Sequence, residues 1–284
     1  MRPTGDPTDD SMCTPNDTPS PNVKKALAKR IFYNIATLRK AYAEEKLYRL
    51  VPGSPFLPSE LSDCYRIFLK NTSRDLHKWH HYFPVYHRHF EKYRNRPVKI
   101  IEVGVSRGGS LKLWKAYFGP QAEIHGIDIK ESCLRFHRPE EGIHVHIGDQ
   151  ADRAFLRDVL RQCPAPDIFI DDGGHTTRQQ IVTFLECYPH ISERGVYLCE
   201  DVHANACEKF IDSRMTFLEF AKNHIDFLYA WYSNSRNAFY PYLCKNPPSV
   251  EIPLLTAITR SLHFYDSIVV FERGKVCMPR SEIR

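Results

Sequence analysis

Two short stretches of the chain set acids side by side where an apolar run stops. The first, "IFIDDGGH" (168 to 175), passes into Asp171, Asp172, two glycines and His175; the second, "LCED" (198 to 201), closes on Glu200 and Asp201. If the two runs are neighbouring strands, three or four carboxylates meet on one rim, where unpaired like charges repel strongly. A divalent cation removes that repulsion. An all-oxygen ligand set, without cysteine or paired histidine, suits Mg²⁺ or Mn²⁺ rather than Zn²⁺. Helix capping, or pairing with Arg178 and Lys209, would account for one or two of these acids but not for the cluster. His175 follows glycines that let the backbone fold back over the site, and an imidazole titrating near neutrality can act as a general base. Asp171 and His203 are the next candidates for that role. His80, His81 and His263 are secondary candidates for substrate or cofactor contacts, although lone histidines among aromatics are more often core residues.

The elements that would position these groups follow from periodicity. Strand patterns occur at 98 to 105, 123 to 129, 143 to 149, 167 to 173, 195 to 202 and 267 to 274. Helical patterns separate most of them, at "GSLKLWKAYF", "ADRAFLRDVLRQC", "TRQQIVTFLECYPHI" and "CEKFIDSRMTFLEFAKNH". Near-continuous apolar strands alternating with helices predict a doubly wound, mainly parallel α/β sheet covered on both faces. Ahead of it, 23 to 50 reads as an amphipathic helix with a basic face, docked on its own domain or on a sister subunit in preference to membrane-surface binding, which the basic face keeps open. Residues 1 to 22, rich in Pro, Thr, Asp and Ser, carry too little apolar surface to offset the entropy of ordering. The predicted organisation is a disordered tail over 1–22, a helical extension over 23–95 and a Rossmann-like domain over 96–284.

In such a sheet, ligands bind outside the carboxyl ends of the strands. The first strand end reads "EVGVSRGGS", with Glu102 before Gly104 and with Gly108, Gly109 and Ser110 opening the next helix. That spacing departs from the dinucleotide GxGxxG pattern. An acid before a glycine turn instead resembles motif I of the class I S-adenosylmethionine methyltransferases. Asp128, about twenty residues on, is placed to accept hydrogen bonds from ribose hydroxyls. Asp149 and Gln150, at the third strand end, lie where such enzymes meet the adenine. Asp149 could alternatively cap the following helix.

Taken in order, "HHYFPVYHRHF", "EVGVSRGGSLKLWKAYF", "GIDI", "GDQAD", "IDDGGH", "GVYLCEDVH" and "LHFYDSIVVFERG" resemble the metal-dependent sugar O-methyltransferases of natural-product pathways, over roughly residues 65 to 275. That group includes the mycinamicin and rhamnosyl O-methyltransferases and the cephalosporin-hydroxylase-type proteins. The resemblance implies a class I methyltransferase fold, with S-adenosyl-L-methionine and Mg²⁺ as cofactors. It further implies Asp172, Glu200 and Asp201 as metal ligands and His175 as base. Cofactor contacts are expected from Glu102, Gly104, Ser110 and Asp128, and from Asp149, Gln150 and Asp171. The chain departs from the family at "NTSRDLHKWHHY", where a Gly-Thr-Asp-Lys stretch is usual: it has neither the glycine nor adjacent Asp and Lys. The implied reaction is methylation of a sugar hydroxyl in antibiotic biosynthesis, by a homo-oligomer. The aromatic stretch 227 to 248 could form a lid or an acceptor wall, or pack as an insertion at a subunit contact.

Composition bounds these readings without choosing among them. A net charge of +5 over 284 residues, with the basic residues spread, falls short of a nucleic-acid footprint. Nine cysteines without a CxxC pair are expected to be reduced and mostly in the core. No run approaches the roughly 18 apolar residues of a membrane span, so a soluble cytoplasmic protein acting on a small-molecule glycoside is expected. Three alternatives stay open: a nicotinamide oxidoreductase, a Mg²⁺-dependent methyltransferase of a catechol-like acceptor, and a non-catalytic cofactor-binding partner subunit.

Overall fold

In the computed structural model, residues 18–29, 61–232 and 251–277 are described. The expectations for residues 1–17, for 30–50 of the basic helix and for most of the aromatic stretch at 227 to 248 fall outside them. Residues 21–29 are helical. That helix starts two residues earlier than expected, at Pro21, because the fixed φ of proline suits a first turn where its missing N–H is not needed.

Seven strands form one sheet: β1 (Val98–Val103), β2 (Ala122–Asp128), β3 (Ile143–Ile147), β4 (Ile168–Asp171), β5 (Val196–Cys199), β6 (Thr259–Tyr265) and β7 (Ile268–Arg273). Their order is β3-β2-β1-β4-β5-β7-β6. The first five are parallel, while β7 is antiparallel to both of its neighbours. The expected doubly wound, mainly parallel α/β sheet is therefore present. Its parallel strands are apolar on both sides because both faces are covered. Ile100 and Ile124 pack with an aromatic layer from helices α1 (Asp63–Lys70), α2 (Tyr82–Phe90) and α3 (Gly109–Phe118). Ile101, Val103 and Phe169 face the other way, toward α4 (Arg153–Gln162), α5 (Thr177–Cys187) and α6 (Phe217–Leu228).

Two elements differ from the sequence reading. Strand β6 carries a polar edge alternation rather than an apolar run, and its hairpin with β7 supplies the missing pairing. Within 207 to 224, expected to be helical throughout, α-helix begins only at Phe217, behind its cap Thr216. The preceding loop is held elsewhere: the Asp212 carboxylate accepts from the Thr177 hydroxyl at 3.0 Å and the Arg178 N–H at 2.7 Å, at the start of α5. The buried cysteines 64, 133, 163, 187 and 199 are all free thiols, as expected. Among the described residues no helix is long and apolar enough to cross a membrane.

The order reverses between β1 and β4, since the chain winds outward through β2 and β3 and then returns to the far side of β1. The carboxyl ends of β1 and β4 therefore part and leave a crevice.

Candidate active site

A cleft of about 640 Å³ opens at this reversal. Gly104, Ser110, Asp128, Asp149, Gln150, Asp172, His175 and Asp201 line it, so most of the residues singled out in the sequence converge. Gly104 has φ +101°, and a Cβ there would collide with the Asp172 carbonyl oxygen. Glycine is required because the ends of β1 and β4 approach this closely. Asp128 accepts from the N–H groups of Ser106 at 2.8 Å and Lys130 at 2.9 Å, which hold its carboxylate at the cleft wall. Asp149 closes a local turn onto the Ala151 N–H at 2.8 Å, and the cap of α4 is Asp152 instead. Asp128→Ala should therefore weaken S-adenosylmethionine binding at least tenfold in a calorimetric titration, about 1.4 kcal/mol. Unchanged affinity would place the ribose elsewhere.

Two of the expected cofactor contacts, Glu102 and Asp171, brace the cleft from behind, and Gln150 links Asp171 to the cleft wall. Glu102 is fully buried; its carboxyl accepts from Ser110 Oγ at 2.7 Å and Trp114 Nε1 at 2.8 Å. Asp171 is buried and receives Gln150 Nε2 at 2.9 Å and the Tyr197 hydroxyl at 3.2 Å. The Gln150 carbonyl in turn accepts the Gly174 N–H at 2.8 Å and so ties the glycine turn down. Burial pushes Glu102 up to about 7, against the pull of Lys78 and of its two donors. A carboxyl raised in the folded state stabilises the fold fully below its ordinary range, and that contribution is lost as pH rises through about 7. Glu102→Gln keeps an acceptor for Trp114 and should flatten the fall in melting temperature over that window; a slope equal to that of the parent would sink this assignment.

The acidic pairs meet as the sequence suggested. Asp171 lies opposite Cys199 in the parallel register, which brings Asp172 and Glu200 level. Between them sits an unexpected cation. Lys78 Nζ donates to Asp172 Oδ2 at 2.6 Å and to Glu200 Oε2 at 2.7 Å, with its side chain only 3% exposed. Burial alone would lower the Lys78 pKa, but Asp172 and Glu200 outweigh it and hold the ammonium well above its ordinary value. The other Glu200 oxygen accepts the Tyr86 hydroxyl at 2.8 Å, and Asp201 Oδ1 accepts the Tyr82 hydroxyl at 2.5 Å. Asp172 Oδ1 and Asp201 Oδ2 remain turned toward His175, whose Nε2 lies 3.9 and 3.6 Å from them. Donor atoms of Asp172, His175 and Asp201 all fall within 4.8 Å of one another. Glu200 belongs to the same carboxylate group but is engaged by Lys78 and Tyr86.

Backbone strain gathers at the same place. Ser106, His175 and Asp201 have φ of 49°, 60° and 52°, left-handed values that non-glycine residues adopt at some cost. His175 Nδ1 is buried without a hydrogen-bond partner. The secondary histidines lie outside this centre: His80 takes a 2.7 Å hydrogen bond with the Tyr65 hydroxyl, His81 sits 3.9 Å from Asp266, and His263 packs on His89.

No family model matches the sequence. The chain is 29% identical over 224 residues to the 8-demethyl-8-(2-methoxy-alpha-L-rhamnosyl)-tetracenomycin-C 3'-O-methyltransferase of Streptomyces olivaceus, covering 76% of this chain and 55% of that protein. It is 31% identical over 209 residues to the 8-demethyl-8-alpha-L-rhamnosyl tetracenomycin-C 2'-O-methyltransferase of the same organism, covering 69% and 51%. The solved structure of MycE methyltransferase from the mycinamycin biosynthetic pathway, in complex with Mg and SAH, superposes with a TM-score of 0.63 at 26% identity, over 76% of this chain and 56% of that one. The chain belongs to this family of class I methyltransferases. It spans about half the length of the curated relatives it matches.

Within the cleft, the residues that sequence reasoning missed all come from the helical extension. Lys78 lies in the loop before α2, and Tyr82 and Tyr86 stand one turn apart on α2 itself. The family's Asp-Lys pair is split in this chain, yet a lysine still reaches the carboxylates. The two tyrosines lie within "HHYFPVYHRHF", and nothing in that stretch shows that each hydroxyl is aimed at one member of the Glu-Asp pair.

Proposed function

We propose that this chain is an S-adenosylmethionine-dependent, Mg²⁺-dependent O-methyltransferase acting on a sugar hydroxyl of a glycosylated natural product. The observation that carries the reading is the convergence of Asp172, His175 and Asp201 at the mouth of a glycine-turned cleft in this fold. The residues fit both cofactors. Gly104 leaves room that any Cβ would fill, and Asp128 faces the cleft from the second strand end. Asp172, Glu200 and Asp201 against the single Lys78 ammonium leave two negative charges when ionised, the charge that a divalent ion balances.

When bound, S-adenosylmethionine supplies an already activated methyl group, and Mg²⁺ acidifies and orients a chelated hydroxyl. The protein's own part is to position and to deprotonate. Asp128 and Asp149 hold the cofactor end of the cleft. Asp172 and Asp201 would hold the cation through the oxygens turned toward His175, and Glu200 would join them by releasing its contact with Lys78. His175 takes the acceptor's proton at Nε2, the nitrogen that faces the carboxylates. The same grouping favours a second reading of His175, as a nitrogen ligand to the cation. The homo-oligomeric assembly and cytoplasmic location expected of such an enzyme belong to this proposal.

Chelation tests the proposal. Turnover of a rhamnosylated acceptor should vanish with EDTA and return on adding Mg²⁺ in excess. Chelator-resistant methylation would remove the metal from the mechanism, and no methylation of any glycoside would favour a different acceptor or a partner subunit.

A further inference from the structure

We infer that the chain carries a second metal site, for a divalent transition-metal ion of the zinc class, formed by Glu123, His125 and His144 on one face of the β2–β3 ribbon. This inference stands apart from the methyltransferase reading. Strand β3 is the sheet edge next to β2, and His125 lies opposite His144 in their register. Glu123 precedes His125 by two residues and His146 follows His144 by two, so the strand alternation turns all four toward the same side. One donor atom each from Glu123, His125 and His144 falls within 4.8 Å of the others. A tetrahedral zinc ion with bonds of about 2.1 Å holds its donors roughly 3.4 Å apart, which a small rotation of the half-buried His144 supplies.

The surroundings favour an ion. His125 is only 3% exposed, and its Nε2 stands 2.9 Å from Glu123 Oε1 while its Nδ1 stands 2.9 Å from His146 Nε2. With the metal on Nε2, the His125 proton moves to Nδ1 and is donated to His146, whose own proton shifts to its far nitrogen, so no net proton is lost. A hydrogen-bonded outer partner of this kind is what metal-bound histidine usually has, and here it makes His146 a positioning residue. The His144 ring stacks on His125 at 4.7 Å and makes no side-chain hydrogen bond among the described residues. Two imidazoles and one carboxylate form a ligand set for zinc, cobalt or nickel rather than for magnesium. Glu123 lies five residues before Asp128, roughly 16 Å along the strand from the cleft end. The ion would staple the sheet's edge strand to β2.

The test is a Zn²⁺ titration of the full chain under saturating Mg²⁺, read by competition with a chromophoric chelator and by melting temperature. Zn²⁺ should bind one equivalent more tightly than any other and raise the melting temperature. His144→Ala, at a half-buried position, should weaken that equivalent at least tenfold and abolish the rise, His146→Ala should weaken it less, and Asp201→Asn should leave it unchanged. Substituting Co²⁺ should give the visible absorption of a four-coordinate nitrogen and oxygen site, lost in His144→Ala. If Asp201→Asn removes the tight equivalent while His144→Ala retains it, the ion belongs to the cleft and the inference fails; it fails equally if no Zn²⁺ binds with Mg²⁺ present.

Discussion

His175→Ala should slow turnover on the order of 10² to 10⁴ while S-adenosylmethionine still binds, because the cofactor end of the cleft, at Gly104, Asp128 and Asp149, does not use the imidazole. Three features of the position support so large an effect. Its φ of 60° aims the ring into the cleft at a conformational cost that surrounding structure has to sustain. Nε2 faces Asp201 and Asp172, at 3.6 and 3.9 Å, so an imidazolium formed during the reaction would be stabilised there. Nδ1 is buried and unpaired, so the ring has no structural hydrogen bond to lose on replacement. The rate of the parent enzyme should depend on pH through its general base, and the variant should lack that dependence. A Mg²⁺ titration separates the two readings of the residue. Unchanged metal affinity with the rate lost identifies a base; affinity weakened in step with the rate identifies a ligand. Near-parent turnover would transfer the proton to another group, with His203 the nearest alternative, since its Nδ1 lies 3.9 Å from Asp201.

Much of this site could be read from the chain because the sheet places strand ends together. Asp172, Glu200 and Asp201 lie within two residues of the end of an apolar run and His175 three beyond Asp172, and strand pairing in register does the rest. A strand end, however, has an inside and an outside, and residue type does not distinguish them. Glu102, Asp171 and Gln150 have the composition of cofactor ligands, yet their polar atoms are taken up by Trp114, Ser110, Tyr197, Thr183 and Gly174. The edge strand β6 was illegible for another reason: a half-exposed strand has no apolar run and takes its order from the partner beside it. The segment 207 to 216 has helical spacing, but the competing Asp212 contacts to the start of α5 decide its shape. Lys78 is the extreme case. It lies 94 and 122 residues from the acids it neutralises, in a loop without periodicity, so only the assembled fold could reveal the pairing.

That pairing makes Lys78→Met the substitution with the largest expected effect on stability. The lysine side chain is 3% exposed and Glu200 1%, so removing the ammonium leaves a buried carboxylate with only the Tyr86 hydroxyl as partner. Breaking one side of a buried ion pair costs about 3 to 5 kcal/mol, more than exchanging the whole pair for apolar groups. In a chain of this length the loss should appear as a fall of roughly 10 °C in melting temperature at alkaline pH, where Glu200 is ionised. Burial and the neighbouring Asp172 already push Glu200 up to about 8, with Lys78 pulling against them, so without the lysine Glu200 should keep its proton to still higher pH. The deficit should therefore shrink in acid, where Glu200 is protonated in either form of the protein, and grow toward alkaline pH. Added Mg²⁺ should restore more stability to the variant than to the parent, because a divalent ion can take the place of the lost positive charge among Asp172, Glu200 and Asp201. A variant that melts within a degree or two of the parent would show that Lys78 makes no net contribution. A large deficit unaffected by Mg²⁺ would confine the lysine's role to holding the loop before α2 against the sheet, and Glu200 would then have no part in binding the cation.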